Sequence, residues 1–135
     1  MAQRVIYEGS LTVSGADYTQ TVQRGNDYVD AQLEGLDERI APNAHLTFTL
    51  DYPFSKSYKG TVITDAGASL RQIIDAIRHG FRVMYRGAAH EEVPNLTNEK
   101  VDGDYGRAYH AIEDLVIERI DFDEETGELE IEIGS

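Results

Sequence analysis

The stretch IERIDFDEETGELEIEIGS, residues 117–135, decides the fold because apolar and acidic residues alternate along it with a period of two. Such alternation is typical of a β-strand with one buried face and one solvent-exposed face. The apolar positions are Ile120, Phe122, Leu129, Ile131 and Ile133. Between the two runs lies EETG (124–127), whose glycine suits the positive φ of a hairpin loop. The sequence therefore predicts a C-terminal β-hairpin with its carboxylates on the solvent side.

The solvent side of this hairpin is rich in acid. Eight of the fifteen residues from Glu118 to Glu132 are Asp or Glu, and Arg119 is the one basic residue among them. Like charges on adjacent strands repel by a few tenths of a kcal/mol to about 1 kcal/mol per facing pair. The carboxylates form either a solvated face that discourages edge-to-edge pairing, a surface that docks a basic protein, or a cation site. The residues predicted to bind a partner are Asp121, Asp123, Glu128, Glu130 and Glu132.

A calcium site is the third interpretation of the same carboxylates. Its candidate ligands are Asp121, Asp123, Glu125 and Glu128, which lie near one another along the chain. Their spacing lacks the glycine-bearing loop of an EF-hand. The sequence therefore offers the oxygen ligands that calcium prefers without a recognisable calcium motif.

Length and composition favour one folded domain over residues 1–135. Hydrophobic residues make up 41% of the 135 residues, enough for a single core. Twenty-five Asp and Glu against twelve Lys and Arg give a formal net charge of -13. Such a charge repels phosphate backbones and disfavours direct nucleic-acid binding. Salt adaptation, in which surface carboxylates maintain solubility, is an alternative explanation of the acidity.

Several classes of chemistry lack their signatures in this sequence. The chain has no cysteine, which excludes disulfides, thiolate catalysis and cysteine-ligated zinc. Nucleophile elbow, phosphate-loop and dinucleotide motifs are absent as well. No apolar run approaches the roughly eighteen residues of a membrane span, and the start of the chain has no signal-like apolar stretch. We expect a soluble cytoplasmic protein without cofactor or membrane association, and the oligomeric state stays open.

The segment ASLRQIIDAIRHGFRVMYRG (68–87) has the pattern of an amphipathic helix. Apolar residues recur at helical intervals, Ser69 and Gln72 fit a capping box, and Gly87 is placed for the C-terminal cap. We predict a helix over 69–86. Basic residues fall on the side away from the apolar stripe: Arg71, Arg78, Arg82 and Arg86, with His79 beside them. They either pair with internal carboxylates or bind phosphate or carboxylate groups of a ligand.

The remaining segments complete an α+β fold. We predict a strand over 4–13 with a bulge or kink at Gly9, and a hairpin of strands over 46–52 and 58–64. Apolar residues at helical spacing predict two shorter helices, within 26–40 and 105–116. Residues 88–104 have no useful periodicity and are predicted to form a long loop. The predicted architecture is a mostly antiparallel sheet with a C-terminal β-hairpin and one long amphipathic helix packed on one face, plus two shorter helices.

A second candidate site involves the histidines. His90, Arg107, Tyr109 and His110 would line a ligand pocket under the 88–104 loop if the fold brings their side chains together. His90, Glu91, His110 and Glu113 could instead hold a metal ion, because His110 and Glu113 are one helical turn apart in the predicted helix. Histidines with such neighbours also serve as ordinary surface hydrogen-bonding groups, so convergence in the structure is the test.

Two functions from different classes therefore remain. The first is a non-enzymatic interaction protein of the inhibitor, immunity or adaptor type, which docks a basic protein partner through its acidic sheet face. The second is a small-ligand- or metal-dependent enzyme that uses the 88–104 loop with His90, Arg107, Tyr109 and His110. A structural subunit of a larger assembly is a third possibility. The sequence alone does not choose among them.

Overall fold

Strands dominate the structure, a computed structural model that describes residues 3–92, 99–108 and 110–135, with the backbone alone for 89–92 and 99–100. The strands are β1 (Gln3–Thr12), β2 (Thr19–Arg24), β3 (Asp27–Gln32), β4 (Arg39–Ala41), β5 (His45–Leu50), β6 (Tyr58–Ile63), β7 (Ala68–Ser69), β8 (Ala89–Glu92), β9 (Glu99–Gly103), β10 (Gly106–Ala108), β11 (Val116–Asp123) and β12 (Glu128–Gly134). The helical elements are α1 (Leu70–Tyr85) and one 3-10 turn (Ile112–Asp114). The fold is therefore a sheet-rich α+β fold with a single α-helix in its described part.

The largest sheet has five strands in the order β1-β11-β12-β5-β6. Neighbouring strands of this sheet are antiparallel except β12 and β5. These two pair in parallel, Glu128 with Thr47 and Leu129 with Phe48. Three smaller sheets have the orders β10-β9-β8, β2-β3 and β4-β7. The predicted hairpin of the 46–52 and 58–64 segments is confirmed as β5 and β6, and the first predicted strand as β1. The register of β1 shifts between Glu8 and Leu11, the interval that contains Gly9.

The C-terminal hairpin forms as its alternation predicts. Phe122 pairs with Leu129 and Ile120 with Ile131 across β11 and β12. Phe122 and Ile120 are fully buried, and Leu129 is nearly so. Gly127 has φ +74° in the connecting turn, the left-handed conformation that glycine adopts without a steric cost. The prediction of a hairpin with apolar residues inward and carboxylates outward is confirmed.

The long helix forms one residue inside its predicted bounds. The Ser69 side chain accepts a hydrogen bond from the Gln72 backbone N–H, and the Gln72 side chain accepts one from the Ser69 N–H. This reciprocal pair satisfies two of the backbone donors that a helix start leaves without partners. Ile73, Ile74 and Phe81 are fully buried. They join one buried core with the inner residues of β5, β11 and β12, and the helix lies against β6 and β5, so it covers one side of the sheet.

The predicted helix within 26–40 is wrong. Residues 27–32 form β3, which pairs with β2 in a hairpin whose two-residue loop is Gly25 and Asn26. Val22 lies opposite Val29, and Gly25 has φ +65°. A glycine-containing pair between two strand-like runs favours a hairpin over a helix. The apolar spacing of four, three and four residues from Val29 to Ile40 does not indicate a helix here, because these residues belong to a strand, a turn and another strand.

The predicted helix within 105–116 and the predicted loop over 88–104 are also wrong. Gly106 has φ +90°, which no α-helix accommodates, and it begins β10. A 3-10 turn follows, and Val116 begins β11. Within 88–104, β8 and β9 pair in antiparallel, while 93–98 lie outside the described residues. The two shorter helices of the predicted fold class are therefore replaced by strands and one 3-10 turn. No helix in the described ranges is long and apolar enough to cross a membrane.

Candidate functional site

The outer face of the five-stranded sheet carries the carboxylates that the sequence predicted to bind a partner. The inner side chains of β11 and β12 belong to the same buried core as those of α1, so the alternate positions point to the opposite face of the sheet. We call these five residues the acidic face: Asp121, Asp123, Glu128, Glu130 and Glu132. The three glutamates are exposed, and the two aspartates are half-buried. The structure thus brings all five together on one surface.

The register of the hairpin places like charges directly opposite each other. Asp121 pairs with Glu130, and Asp123 pairs with Glu128. Only the next outward position is complementary, where Arg119 lies opposite Glu132. Two facing pairs of carboxylates oppose strand pairing by roughly 0.2–1 kcal/mol each before any screening by salt. The apolar pairs on the inner face must therefore supply the stability of the hairpin.

Arg119 is the cation within the acidic face. Its Nε donates to Asp121 Oδ1 over 3.0 Å, and an Nη atom lies 3.7 Å from Glu8 Oε2. The hydrogen bond with Asp121 raises the pKa of Arg119, so the guanidinium stays charged. In the described part of the chain, the three glutamates of the acidic face form no salt bridge with an arginine or a lysine. Gln3 Nε2 donates to Glu130 Oε2 over 2.9 Å.

Asp123 has a structural role in addition to its place on the acidic face. Its Oδ1 accepts hydrogen bonds from the backbone N–H of Glu125 over 3.0 Å and of Thr126 over 3.4 Å. The backbone N–H of Gly127 donates to the Asp123 carbonyl over 2.8 Å. These bonds fix the turn of the hairpin, so this carboxylate is partly satisfied by its own chain.

The calcium interpretation gains no geometric support. Among the residues that the structure describes, no three His, Asp or Glu side chains are arranged to hold a metal ion. All four candidates, Asp121, Asp123, Glu125 and Glu128, lie in that described part. The metal set of His90, Glu91, His110 and Glu113 is not tested, because the side chains of His90 and Glu91 lie outside the described part.

The other half of the outer face is neutral to weakly basic. Across β5 and β6, His45 lies opposite Ile63, Thr47 opposite Thr61, and Thr49 opposite Lys59. Neither strand contains an Asp or a Glu. Thr47 is adjacent to Glu128 through the parallel pairing of β5 with β12. The surface is thus divided along its width into a carboxylate half and a threonine-rich half.

The arginines of α1 and of its C-terminal cap, Arg86, do not form one exposed stripe. Arg71 Nε contacts Asp37 Oδ1 at 2.8 Å, and this hydrogen bond lowers the pKa of the Asp37 carboxyl. Arg82 and Arg86 are exposed, and within the described residues they form no salt bridge. Of the two interpretations of these arginines, internal pairing with a carboxylate holds for Arg71.

Arg78 departs from the prediction because it is buried, with 2% of its surface exposed. Its guanidinium donates to the Thr12 carbonyl from Nε over 3.1 Å and from an Nη over 2.8 Å, and to the Asp17 carbonyl over 2.6 Å. It also lies 5.4 Å from the centre of the Tyr18 ring. Burial lowers the pKa of Arg78. This side chain ties the end of β1 to the helix, a role that helical spacing alone did not indicate.

The structure describes the predicted ligand site only in part. Arg107 lies 3.6 Å from Asp102, and each side chain is about half exposed. The His110 carbonyl accepts a hydrogen bond from Tyr85 Oη over 3.0 Å, and the His110 ring lies 6.1 Å from the Tyr52 ring. The His90 side chain and the whole of Tyr109 lie outside the described residues. Convergence of the four side chains therefore stays a prediction.

Comparisons with known proteins supply no relative for this chain. A scan against protein-family models found no match, and neither a search of curated proteins nor a search of solved structures found one.

Proposed function

We propose that this chain is a small acidic interaction protein, of the inhibitor, immunity or adaptor type, that docks a basic protein partner through its acidic face. The proposal includes a single domain, a cytoplasmic location and no direct binding of nucleic acid. The observation that carries it is the pairing of Asp121 with Glu130 and of Asp123 with Glu128 across the hairpin. A basic surface would relieve both repulsions at once.

The position of α1 supports the proposal because the helix covers the inner side of the sheet. The outer side is left to solvent, and Glu128, Glu130 and Glu132 are exposed along one strand. Alternate residues of a strand are about 6.8 Å apart, which spaces these carboxylates regularly along a line. Lysine and arginine side chains of a partner can each reach a separate carboxylate in such a row.

The charge of the whole chain supports fast association with a basic partner. A net charge of -13 creates a long-range field that steers oppositely charged proteins toward the surface. Contacts of this kind chiefly increase the association rate and the specificity, and salt weakens them. We therefore expect binding that is strong at low ionic strength and falls as salt is added.

A capture experiment with matched variants tests the proposal. The acidic-face variant carries Glu128→Gln, Glu130→Gln and Glu132→Gln. The control carries Glu34→Gln, Glu38→Gln and Asp65→Asn, three exposed acids outside the five-stranded sheet. Both variants have the same net charge, so they separate a local surface from a general charge effect.

We expect the wild type and the control to capture the same basic protein from native lysate at low salt, and the acidic-face variant to lose it. The captured protein is then purified, and its affinity for each variant is measured at two salt concentrations. Equal loss in both variants would show that only net charge matters, and capture of no protein at low salt would count against the proposal.

A further inference from the structure

The strand β6 is an edge of the five-stranded sheet, and its outward backbone groups are open. The bond from Thr64 N–H to the Ala44 carbonyl, 2.9 Å, fixes which pairs between β5 and β6 exchange hydrogen bonds. Counting by two along this antiparallel ladder, the residues of β6 that bond to β5 are 58, 60 and 62. The backbone groups of Lys59, Thr61 and Ile63 therefore point to the edge. In the described residues, no other group hydrogen-bonds to them.

The side chains at this edge are suited to contact with protein. Ile63 is 73% exposed on the outer face, beside Thr61 and Lys59. β5 and β6 contain no carboxylate, whereas β11 and β12 contain three each. A second, equally acidic molecule can thus approach this edge without meeting carboxylates on β5 or β6.

We propose that two copies of this chain form a dimer by antiparallel pairing of their β6 strands about Thr61. In this register Thr61 pairs with Thr61 of the second copy, and Lys59 pairs with Ile63 of the second copy. The open N–H and C=O groups at these three positions become ladder bonds. The aliphatic part of Lys59 covers Ile63 while its ammonium group stays in water.

The charge of the chain is compatible with this dimer because the acidic strands lie far from the contact. The β12 strands of the two copies would be five strand spacings apart, about 24 Å at roughly 4.8 Å per spacing. The screening length at physiological ionic strength is about 8 Å, so repulsion between the two acidic faces is largely screened. We expect added salt to favour the dimer, the opposite of its effect on a basic partner.

Antiparallel pairing through an edge keeps the outer faces of both copies on the same side of one continuous sheet. The dimer would then present two acidic faces to one side, separated by the neutral strands. If the proposed docking function is correct, this arrangement makes binding bivalent. The dimer itself does not depend on that function, and the two are tested by different measurements.

The first test is the molar mass in solution, measured by sedimentation over a wide range of protein concentration. We expect the mass to rise from 15.1 kDa toward twice that value in the wild type. Ile63→Lys places two lysines against each other at both ends of the contact, and Thr61→Pro removes an edge donor without breaking a bond to β5. Both should stay monomeric at concentrations where the wild type is dimeric.

The matched control is Val5→Lys, the same apolar-to-lysine change on β1, the opposite edge strand, where Val5 is 45% exposed. It should dimerise like the wild type. A wild type that is monomeric at every concentration overturns the proposal. So does a dimer that survives both β6 substitutions, or one that Val5→Lys abolishes equally.

Hydrogen exchange of the wild type gives a second readout that needs no variant to fold. The amides of Lys59, Thr61 and Ile63 should become protected as the protein concentration rises, while Val62 is protected throughout by its bond to β5. Protection of the three edge amides that does not change with concentration overturns the proposal. Capture of a basic partner by monomeric Ile63→Lys tests the docking function separately.

Discussion

Asp121 and Glu130 lie directly opposite each other on β11 and β12, so two negatively charged carboxylates form a cross-strand pair. Like charges in this arrangement are destabilising. Arg119 bonds to Asp121 from the same strand, while Glu130 accepts a hydrogen bond from Gln3. The repulsion across the strands is therefore only partly relieved within the chain. We expect the remaining repulsion to reduce the stability of the isolated protein, and contact with cations to restore that stability.

Neutralising one member of this pair should stabilise the protein. We expect Glu130→Gln to raise the free energy of unfolding by a few tenths of a kcal/mol to about 1 kcal/mol at low ionic strength. The gain should shrink in about 1 M salt, where the screening length is about 3 Å. Urea denaturation at both ionic strengths measures it. Glu34→Gln, an exposed acid outside the sheet, is the control, and a Glu130→Gln protein no more stable than wild type at low salt contradicts the prediction.

The turn that presents the acidic face should be sensitive to a single methyl group. Gly127 has φ +74°, and a Cβ there would lie 2.7 Å from the His45 carbonyl. Gly25 has φ +65° but no atom within 4 Å of its Cβ position, so Gly25→Ala isolates the conformational term. That term is about 1–2 kcal/mol. We expect Gly127→Ala to destabilise the protein by more than Gly25→Ala in thermal or chemical unfolding; equal losses would contradict a steric clash at the turn.

The sequence was sufficient for elements whose periodicity and boundaries agree. The hairpin of β11 and β12 has alternating residues and a glycine in its turn, and α1 has both an apolar stripe and a capping box. Local and tertiary preferences coincide in these elements. The segments within 26–40 and 105–116 lack that agreement, because helical spacing competed with turn glycines at Gly25, Gly35 and Gly106. The glycines decided the outcome, since a positive φ interrupts a helix.

The same contrast holds for the candidate site. The five carboxylates of the acidic face could be placed on one surface from alternation alone, because a strand fixes which side each residue faces. The residues opposite them across the strands could not be predicted, because the register depends on the turn and on a bulge between Ile117 and Arg119. The burial of Arg78 was also beyond the sequence, since its acceptors are backbone carbonyls of residues far away in the chain.

Replacing Arg78 should destabilise the fold strongly. Arg78→Met keeps much of the aliphatic length but leaves the Thr12 and Asp17 carbonyls without their donor. Hydrogen bonds to charged groups contribute about 1.5–3 kcal/mol, and buried acceptors without partners add to the loss. We expect a decrease of about 2–4 kcal/mol in the free energy of unfolding. Arg82→Met, an exposed residue of the same helix, should change it by less than about 0.5 kcal/mol.

An effect of similar size for both substitutions would show that the hydrogen bonds of Arg78 do not stabilise the fold beyond the helix itself. Far-UV circular dichroism before denaturation distinguishes a destabilised protein from one that fails to fold. A lysine at this position provides a further comparison, because its single ammonium group cannot reach both carbonyls in the geometry of the guanidinium fork.

The ion pair of Arg71 with Asp37 should be visible in the acid titration of the protein. The hydrogen bond from Arg71 lowers the pKa of the Asp37 carboxyl below its ordinary value of 3.8. A carboxyl whose pKa is lower in the folded state stabilises the fold above the unfolded pKa, and this contribution is lost as the pH falls through the folded pKa. The stability difference between wild type and Asp37→Asn should therefore be present at neutral pH and vanish in strong acid. Titration of the Asp37 carboxyl by NMR measures the pKa directly. The pKa should return toward 3.8 in Arg71→Gln and stay unchanged in the control Arg82→Gln. An unaltered pKa in Arg71→Gln would show that the pair does not form in solution.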